Sequence, residues 1–480
     1  MATSALLISC AVGPNFKEPA APNVTDYTER PLEATGSTKG VAGGDAQSFV
    51  RSRDIPGDWW TLFHSKALND LIERSLKASP DVKAAQAALV VARENVSAQA
   101  GSYYPSVGGG FSAVRQKTSE YIAPVPNSNA FIFNLYTSQV TVSYVPDVFG
   151  LNRRNVESLE AQAEQQRFAL IATYITLSSN VAAAAIQEAS LRGQIDATQQ
   201  LIDINTKMLD LLRQQFVSGY SSRLDVAAQE SQLAQVAATL PPLQKQLVQQ
   251  RDLLAALSGG YASEGLAETF ELSDMQLPRE IPVSLPSQLV EQRPDVRQAE
   301  ENMHAACAQI GVAVANRLPN LTLTGNAGSM ALAIGQLTAP GAGFWTIGAE
   351  LTQPIFEGGT LLHRERAARA AYQEAAEEYR GTVITAFQNV ADTLNALEQD
   401  ARALQAVAAA EQAAKVTLDL TNRQLQSGYT NYLAVLNAEQ TYQQAAINLI
   451  QAEANRYADT AALFQALGGG WWNRAELTKE

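Results

Sequence analysis

The first residue in the chain with chemistry of its own is Cys10, which closes the segment Leu7-Ile8-Ser9-Cys10. An apolar residue, two small or apolar residues and then a cysteine is the pattern of a bacterial lipobox. There the thiol becomes thioether-linked to diacylglycerol, and a peptidase that tolerates little bulk then frees the cysteine's amine. The pattern predicts lipidation of Cys10. A buried apolar cysteine has the same appearance, and the basic segment expected of a signal peptide is missing.

The residues after Cys10 are typical of an extended tether, because glycine, proline and alanine recur in them. They are Gly13, Pro14, Pro19, Ala20, Ala21, Pro22 and the stretch 36–44. A single acyl chain holds a protein to a membrane only marginally, so the sequence predicts a further anchor.

The other reactive side chains are too few for an active site or a metal centre. The chain has three histidines, His64, His304 and His363, and Cys307 is its only other cysteine. Gly108-Gly109-Gly110 lacks the lysine of a phosphate loop and is predicted to be strand or turn. Cys307 is predicted to be a packed core thiol and 363–366 a solvated charge cluster. We therefore predict no enzyme, no cofactor and no metal.

Composition excludes further classes of protein. Thirty-five basic and 48 acidic residues give a net charge of −13, which argues against a nucleic-acid surface. The chain is 46% apolar but only 7% aromatic, which favours helices over a β-sandwich. No 18 consecutive residues are apolar, so the sequence predicts no transmembrane helix.

Several segments occur twice, in the same order. Ser79-Pro80-Asp81-Val82-Lys83 recurs as Arg293-Pro294-Asp295-Val296-Arg297. Ser218-Gly219-Tyr220 recurs as Ser427-Gly428-Tyr429. Ala256-Leu257-Ser258-Gly259 recurs as Ala466-Leu467-Gly468-Gly469. The offsets are 214, 209 and 210 residues, which predicts two structural repeats of about 210 residues.

Each repeat contains a pair of segments with the alternation of β-strands. Val140, Val142 and Tyr144 alternate with polar residues in the first repeat, and Trp345, Ile347 and Leu351 share one parity in the second. The predicted strands are 107–114 and 131–145 in the first repeat, and two around 321–324 and 345–351 in the second.

The longest segments have the composition of helices. Residues 151–218 and 360–427 each lack proline and contain a single glycine. Apolar residues recur in the first at alternating spacings of four and three, which predicts a left-handed coiled arrangement. This stripe is Leu170, Tyr174, Leu177, Val181, Ala184, Glu188, Leu191, Ile195, Thr198, Ile202, Asn205, Leu209, Leu212 and Phe216. A second helix is predicted to return at 221–258 and at 430–467, the first of them broken or kinked by Pro241-Pro242.

Four strands cannot close a membrane barrel, whose smallest single-chain form has about eight. Three chains would supply twelve, with Phe131, Phe133, Trp345 and Ile347 on the lipid-facing parity. The alternative is a small soluble sheet beside a helical domain.

These features together resemble the TolC-like outer membrane factors, in particular their lipoprotein branch. The resemblance covers nearly the whole chain, and the segments that carry it are 10–19, 58–63, 285–289 with 293–296, and 466–471. It implies a mainly α fold with a membrane β-barrel contribution, in which a trimer forms a 12-stranded β-barrel and a periplasmic α-helical barrel. It also implies a lipid-anchored outer membrane duct for drugs or other small toxic molecules, energised by an inner-membrane proton-driven (RND-type) transporter through a periplasmic adaptor. The alternatives are a duct for type I protein secretion and a soluble coiled-coil scaffold.

The repeats and the resemblance together give a predicted division of the chain. It comprises a signal-peptide remnant and lipobox (1–10), an extended tether and equatorial segment (11–64), a first repeat (65–260, hairpin 105–146), an inter-repeat equatorial linker (261–284), a second repeat (285–470, hairpin 319–357) and a C-terminal tail (471–480).

The two Ser-Gly-Tyr turns are the predicted periplasmic tips and adaptor-docking loops. They are Ser218, Gly219 and Tyr220, and Ser427, Gly428 and Tyr429. Glycine allows the positive φ of a tight helix-to-helix turn, although any glycine in such a place also ends a helix.

The residues just beyond the turns are the candidates for a gate. They are Arg223, Asp225, Tyr432 and Asn437. The family often carries aspartates on the inner face of the second return helix, and some members carry an arginine after the turn glycine. The matching positions here are Thr430, Ala434 and Asn437, which puts a carboxylate ring in doubt and leaves a ring of Asn437 amides to narrow the pore.

Overall fold

The computed structural model describes residues 11–30, 32–51, 53–119, 121 and 132–478. Cys10 and Phe131 lie outside the described residues. The helices are α1 (Lys66–Ala78), α2 (Pro80–Ala100), α3 (Leu151–Val217), α4 (Arg223–Leu257), α5 (Pro286–Gln292), α6 (Pro294–Ala315), α7 (Thr360–Gln426), α8 (Tyr432–Ala466) and α9 (Ala475–Thr478). The strands are β1 (Ser48–Arg51), β2 (Ser106–Lys117), β3 (Ile132–Tyr144), β4 (Glu280–Val283), β5 (Asn320–Ala331) and β6 (Gly343–Thr352).

The long helices confirm the sequence prediction to within a residue or two. Helices α3 and α7 have 67 residues each, and α4 and α8 have 35 each. Ten of the fourteen stripe positions on α3 are buried, including the polar residues Glu188, Thr198 and Asn205. Proline stands at the first position of α2, α5 and α6, where its missing N–H has no helical partner to lose.

The chain forms two compact units. One contains residues up to 19, 88–166 and 299–379, and the other contains 20–87, 167–298 and 380–480. In the first unit, four strands form an antiparallel sheet in the order β2-β3-β5-β6. Pairing of β3 with β5, with Val140 opposite Ala327, joins the two predicted hairpins into one sheet. The four predicted strands are confirmed, but the prediction that Phe133 shares a face with Trp345 is wrong: Val140 lies opposite Ala327 and Ala327 opposite Trp345, which puts Phe133, an odd number of residues from Val140, on the other face.

In the second unit, β1 pairs with β4 in parallel, from Ser48 opposite Glu280 to Arg51 opposite Val283. An aromatic core lies in the same unit. Trp59 stacks on Phe464 with ring centroids 5.3 Å apart, and Phe63 lies 6.3 Å from the ring of Tyr457. All four of these side chains are buried, which anchors the segment before α1 against α8.

The prediction that Pro241-Pro242 divides the first return helix into two pieces is wrong. Helix α4 runs without interruption from Arg223 to Leu257. The two prolines free the carbonyls of residues 237 and 238, but both prolines are exposed, so water can solvate the neighbouring backbone.

One helix bears on the prediction of no transmembrane helix without overturning it. By length and composition alone, α3 contains an 18-residue window apolar enough to cross a membrane. A count of consecutive apolar residues ends at every polar side chain and therefore missed it. Within the structure 61% of that window is buried, and a core helix passes the same test.

The first described residues are held by contacts and do not form a loose tether. The amide of Val12 donates to the carbonyl of Phe149 at 3.1 Å, and Phe16 stacks on His304 with centroids 4.4 Å apart. Buried Arg154 donates from Nε to the carbonyl of Val12 at 3.0 Å and from its guanidinium to Asn15 Oδ1 at 2.7 Å. Composition predicted an extended path, and these contacts fix that path against the first unit.

Candidate functional site

The two Ser-Gly-Tyr turns have the same backbone geometry. Gly219 has a φ of +79° and Gly428 a φ of +76°, values that favour glycine. The amide of Tyr220 donates to the carbonyl of Gln215 at 2.8 Å, and that of Tyr429 donates to the carbonyl of Gln424 at 2.9 Å. This six-to-one bond ends each long helix in the manner of a Schellman motif and turns the chain towards the return helix.

The turns present apolar surface to solvent. The side chains of Tyr220 and Tyr429 are 87% and 85% exposed, and Leu224 and Leu433, at the start of the return helices, are also exposed. These exposed apolar side chains make the two turns candidates for contact with another molecule.

Asp225 caps the helix that it begins. Its backbone amide donates to Ser222 Oγ at 3.1 Å, and its carboxylate accepts the backbone amide of Ser222 at 2.9 Å. Ser222 Oγ also donates to the carboxylate at 2.7 Å, and this bond, followed by the one from the Ser222 amide, lowers the pKa of Asp225. In the second return helix Asn431 alone plays the capping role, by accepting the amide of Ala434 at 3.1 Å.

The other gate candidates differ in burial. Tyr432 packs in an apolar cluster at the second tip, and burial raises the pKa of its hydroxyl. The members of this tip cluster are Leu212, Leu418, Tyr432, Val435, Leu436 and Ala438. Arg223 and Asn437 are exposed. Of the four gate candidates, Tyr432 is therefore packed and Asp225 caps a helix, whereas Arg223 and Asn437 face solvent in the single chain.

Sequence reasoning missed a set of polar side chains in the helix pairs, all of them buried except Gln440. Gln229 Nε2 donates to Asn205 Oδ1 at 3.0 Å and joins α4 to α3, and Gln440 Nε2 donates to Gln232 Oε1 at 2.9 Å and joins α8 to α4. Glu439, beside Gln440, is also buried. The one sequence signal for these residues was a polar residue at a position of the apolar stripe, as at Asn205. Periodicity alone cannot distinguish a packed polar residue from an interruption of the stripe.

The described residues offer no competing catalytic or metal centre. Among them no three histidine, cysteine, aspartate or glutamate side chains are grouped to hold a metal ion. Cys307 is buried, as predicted, and burial raises the pKa of its thiol, which disfavours the reactive thiolate.

Comparison with known proteins gives the family. The model of the outer membrane efflux protein family matches residues 71–260 and 285–469. The toluene efflux pump outer membrane protein TtgC of Pseudomonas putida is 28% identical over 474 residues, which cover 98% of this chain and 95% of the relative. The pyoverdine export outer membrane protein OpmQ of the same species is 28% identical over 450 residues, which cover 91% of this chain and 94% of that protein.

Solved structures agree. The outer-membrane channel OprN is similar with a TM-score of 0.85 at 25% identity, covering 96% of this chain and all of that one. The CmeC outer membrane channel of Campylobacter jejuni shares the fold with a TM-score of 0.86 at 21% identity, covering 98% of this chain and 97% of that one. The chain therefore belongs to the outer membrane efflux protein family and is an efflux channel of the outer membrane, not an enzyme.

Proposed function

We propose that three copies of this chain form the passive exit duct of a tripartite efflux pump. One observation carries the proposal: the four-stranded sheet has two long edge strands, β2 and β6, that pair on one side only within the part of the chain that the structure describes. An unpaired strand edge is unfavourable in lipid, because each backbone N–H and C=O without a hydrogen bond costs several kcal/mol there. Pairing of β6 with β2 of the next copy satisfies both edges and closes twelve strands.

The side chains of β6 support a position in the barrel wall. Trp345, Ile347 and Leu351 share one face of the strand and are strongly exposed, whereas Thr346 and Glu350 belong to the opposite face. An apolar face towards lipid and a polar face towards a lumen is the pattern of a membrane barrel strand.

The partners follow from the tips and from the family. The tip residues, Ser218 to Tyr220 and Ser427 to Tyr429, dock a periplasmic adaptor, which links the duct to an inner-membrane proton-driven transporter of the RND type. The exposed Tyr220 and Tyr429 provide the apolar contact. The relatives are named for toluene efflux and pyoverdine export, so the cargo here is a small organic molecule.

Two repeats, at 65–260 and 285–470, account for the two helix pairs. The family model matches twice, at 71–260 and 285–469. A trimer therefore presents six helix hairpins, which alternate between first-repeat and second-repeat tips.

The gate centres on Asn437, the polar side chain that the protomer leaves exposed at the second tip, and three residues near the two tips support it. Asn437 has no side-chain hydrogen bond among the described residues, so its amide is free to meet its two symmetry mates. Tyr432 holds the helix in place from the packed side, Asp225 fixes the start of the neighbouring helix, and Arg223 faces solvent beside it.

The experiment is conductance of the purified trimer in planar lipid bilayers. We expect a heat-modifiable trimer from the outer membrane fraction and discrete single-channel steps. Asn437→Ala will increase the conductance of each step, because three amides leave the constriction. Asn448→Ala, an exposed asparagine farther along α8, is the matched control and will leave it unchanged. A monomer without channel activity would overturn the duct, and an unchanged step in Asn437→Ala would remove Asn437 from the gate.

Lipidation of Cys10 supplies the second anchor. The residues directly after it are bound by Arg154 and His304 in the unit that carries the sheet, which keeps the N-terminus with the strands.

Labelling of growing cells with radioactive palmitate tests the anchor. Cys10→Ala will lose the label because the thiol that starts the modification is gone. Cys307→Ala keeps it, because Cys307 is buried and outside the lipobox. Label that persists in the Cys10 variant contradicts the assignment.

A further inference from the structure

Glu439 is a buried carboxyl group near the second tip. It lies on α8 two turns after Tyr432, its residue surface is 2% exposed, and neither carboxyl oxygen has a hydrogen-bond partner among the described residues. Its neighbours on the helix, Leu436 and Ala438, belong to the tip cluster. An ionised carboxylate in such a place is unfavourable unless a cation or several donors accompany it.

The first helix pair shows what this position carries when it is ionised. Helices α3 and α7 are equal in length, as are α4 and α8, and the two pairs are related by an offset of 209 residues. Glu439 is therefore the equivalent of Glu230 in the first pair, and Asn422 is the equivalent of Arg213. Glu230 is exposed and accepts a charged hydrogen bond from Arg213 at 2.8 Å. In the second pair the arginine is replaced by Asn422, whose Oδ1 also lacks a partner in the described structure. The second pair therefore has the carboxyl group, Glu439, without an arginine at the position equivalent to Arg213.

No charged group on the surrounding helices takes the place of that arginine. Those at this level are Lys207, Asp210 and Arg213 on α3, Arg223, Asp225 and Glu230 on α4, and Glu411, Lys415, Asp419 and Arg423 on α7. On α8 itself the titratable neighbours are Tyr432 and Tyr442. None of them forms a hydrogen bond or ion pair with Glu439 within the described residues.

We propose that Glu439 is a proton-binding site that latches the second helix pair: the neutral acid lets α8 pack at the tip, and ionisation loosens it. The proposal rests on the duct function given above. Its consequence is a channel whose periplasmic end opens more readily as the pH rises.

The direction follows from linkage. Burial raises the pKa of Glu439 from 4.5 to about 7. A pKa raised in the packed state means that the packing is fully stable below pH 4.5 and loses stability as the pH rises to about 7. If Glu439 is fully solvated once the tip loosens, the ratio of loosened to packed tips will increase by up to about fiftyfold between pH 5 and 7.5.

Hydrogen–deuterium exchange of the full-length trimer in detergent, followed on peptides from residues 432–445, measures this ratio. The protection factor divides out the direct effect of pH on exchange. We expect it to decrease at least about tenfold from pH 5 to 7.5 in the native chain. In Glu439→Gln, which mimics the neutral acid, it will stay high at both pH values. In Glu230→Gln, the control at the equivalent position, it will decrease as in the native chain.

Asn422→Arg gives a second test that does not remove the carboxyl. It supplies the cation found in the first pair, stabilises the ionised form and will shift the change in protection below pH 5. A pH dependence that survives in Glu439→Gln, or one that is absent from the native chain, overturns the proposal. A trimer that conducts in bilayers while its tip protection is independent of pH refutes the latch alone, whereas a chain without conductance at either pH refutes the duct.

Discussion

Replacing Arg456 with alanine will destabilise the protein by about 3 kcal/mol, because buried neutral acceptors lose a charged donor and each such hydrogen bond contributes about 1.5 to 3 kcal/mol. Arg456 on α8 is 1% exposed. Its guanidinium donates to Gln47 Oε1 at 3.1 Å and to the carbonyl of Asp45 at 3.0 Å. Longer bonds reach Thr35 Oγ1 at 3.4 Å and the carbonyl of Leu397 at 3.5 Å. One side chain thus holds the segment before β1 against α7 and α8.

The loss is large because the acceptors are buried too. Gln47 and Thr35 have almost no exposed surface, so removal of the guanidinium leaves Gln47 Oε1 without water or its donor, whereas Thr35 Oγ1 keeps the bond from the Gln47 amide. Arg456→Lys will recover only part of the stability, since an ammonium is a point charge and cannot replace the planar fork that spans four acceptors.

Denaturant unfolding of the trimer, followed by helical circular dichroism, gives the measurement. Arg402→Ala is the matched control, because Arg402 on α7 forms an exposed pair with Glu398 that is worth about 0 to 1 kcal/mol. Equal unfolding midpoints for the two alanine variants would show that the network around Arg456 contributes little.

Much of the fold could be predicted because its signals are local. The long helices follow from segments without proline that end at Ser-Gly-Tyr, and the strands follow from the parity of Trp345 and Ile347. The pairing of β1 with β4 could not be predicted in the same way. Each strand has four residues, and more than two hundred residues separate Ser48 from its partner Glu280, so tertiary packing decides the pairing.

The candidate site likewise contains residues that could be predicted from local sequence and residues that could not. The turn glycines Gly219 and Gly428 were visible from sequence, because a positive φ selects the residue type. The latch at Glu439 was not, because a glutamate between an alanine and a glutamine in a long helix has the same sequence pattern whether it faces solvent or core. Pro241-Pro242 misled the prediction for a related reason: a proline pair costs local hydrogen bonds, but the long helix on either side and solvent at the freed carbonyls maintain the helix.

The polar residues inside the apolar stripe of α3 show what periodicity leaves out. Thr198 Oγ1 donates to the carbonyl of Gln194 at 2.7 Å, and the Asn205 amide donates to the carbonyl of Leu201 at 2.9 Å. Each satisfies its own polar atom within one helical turn and so can occupy a packed position. Glu188 has a local partner in Arg192, one turn further along α3, but its second oxygen and the remaining stabilisation of its charge come from other elements.

Glu188→Ala is accordingly the second substitution with a large expected effect, about 3 kcal/mol of lost stability. Glu188 is 0% exposed. Its Oε1 accepts Arg192 Nε at 2.7 Å and an Arg251 guanidinium nitrogen at 3.0 Å, and its Oε2 accepts the backbone amide of Phe270 at 3.0 Å. The carboxylate therefore ties α3 to α4 and to the segment after α4.

Both arginines keep a quarter or more of their side-chain surface in solvent, so water offsets part of the loss and places the effect at the lower end of the range for buried ion pairs. The amide of Phe270 has no such relief, because Phe270 is buried. Glu188→Gln should recover about half of the stability by accepting from that amide while losing the charge.

Unfolding midpoints in denaturant will rank the variants as native, Glu188→Gln and Glu188→Ala in decreasing order. Asp70→Ala, which removes an exposed pair with Lys66 on α1, serves as the control and will match the native chain to within about 0.5 kcal/mol. A Glu188→Ala variant as stable as the Asp70 control would contradict this prediction. It would mean that Arg192, Arg251 and the Phe270 amide find other partners, and that an apolar residue, as the stripe of α3 predicts, would be tolerated at position 188.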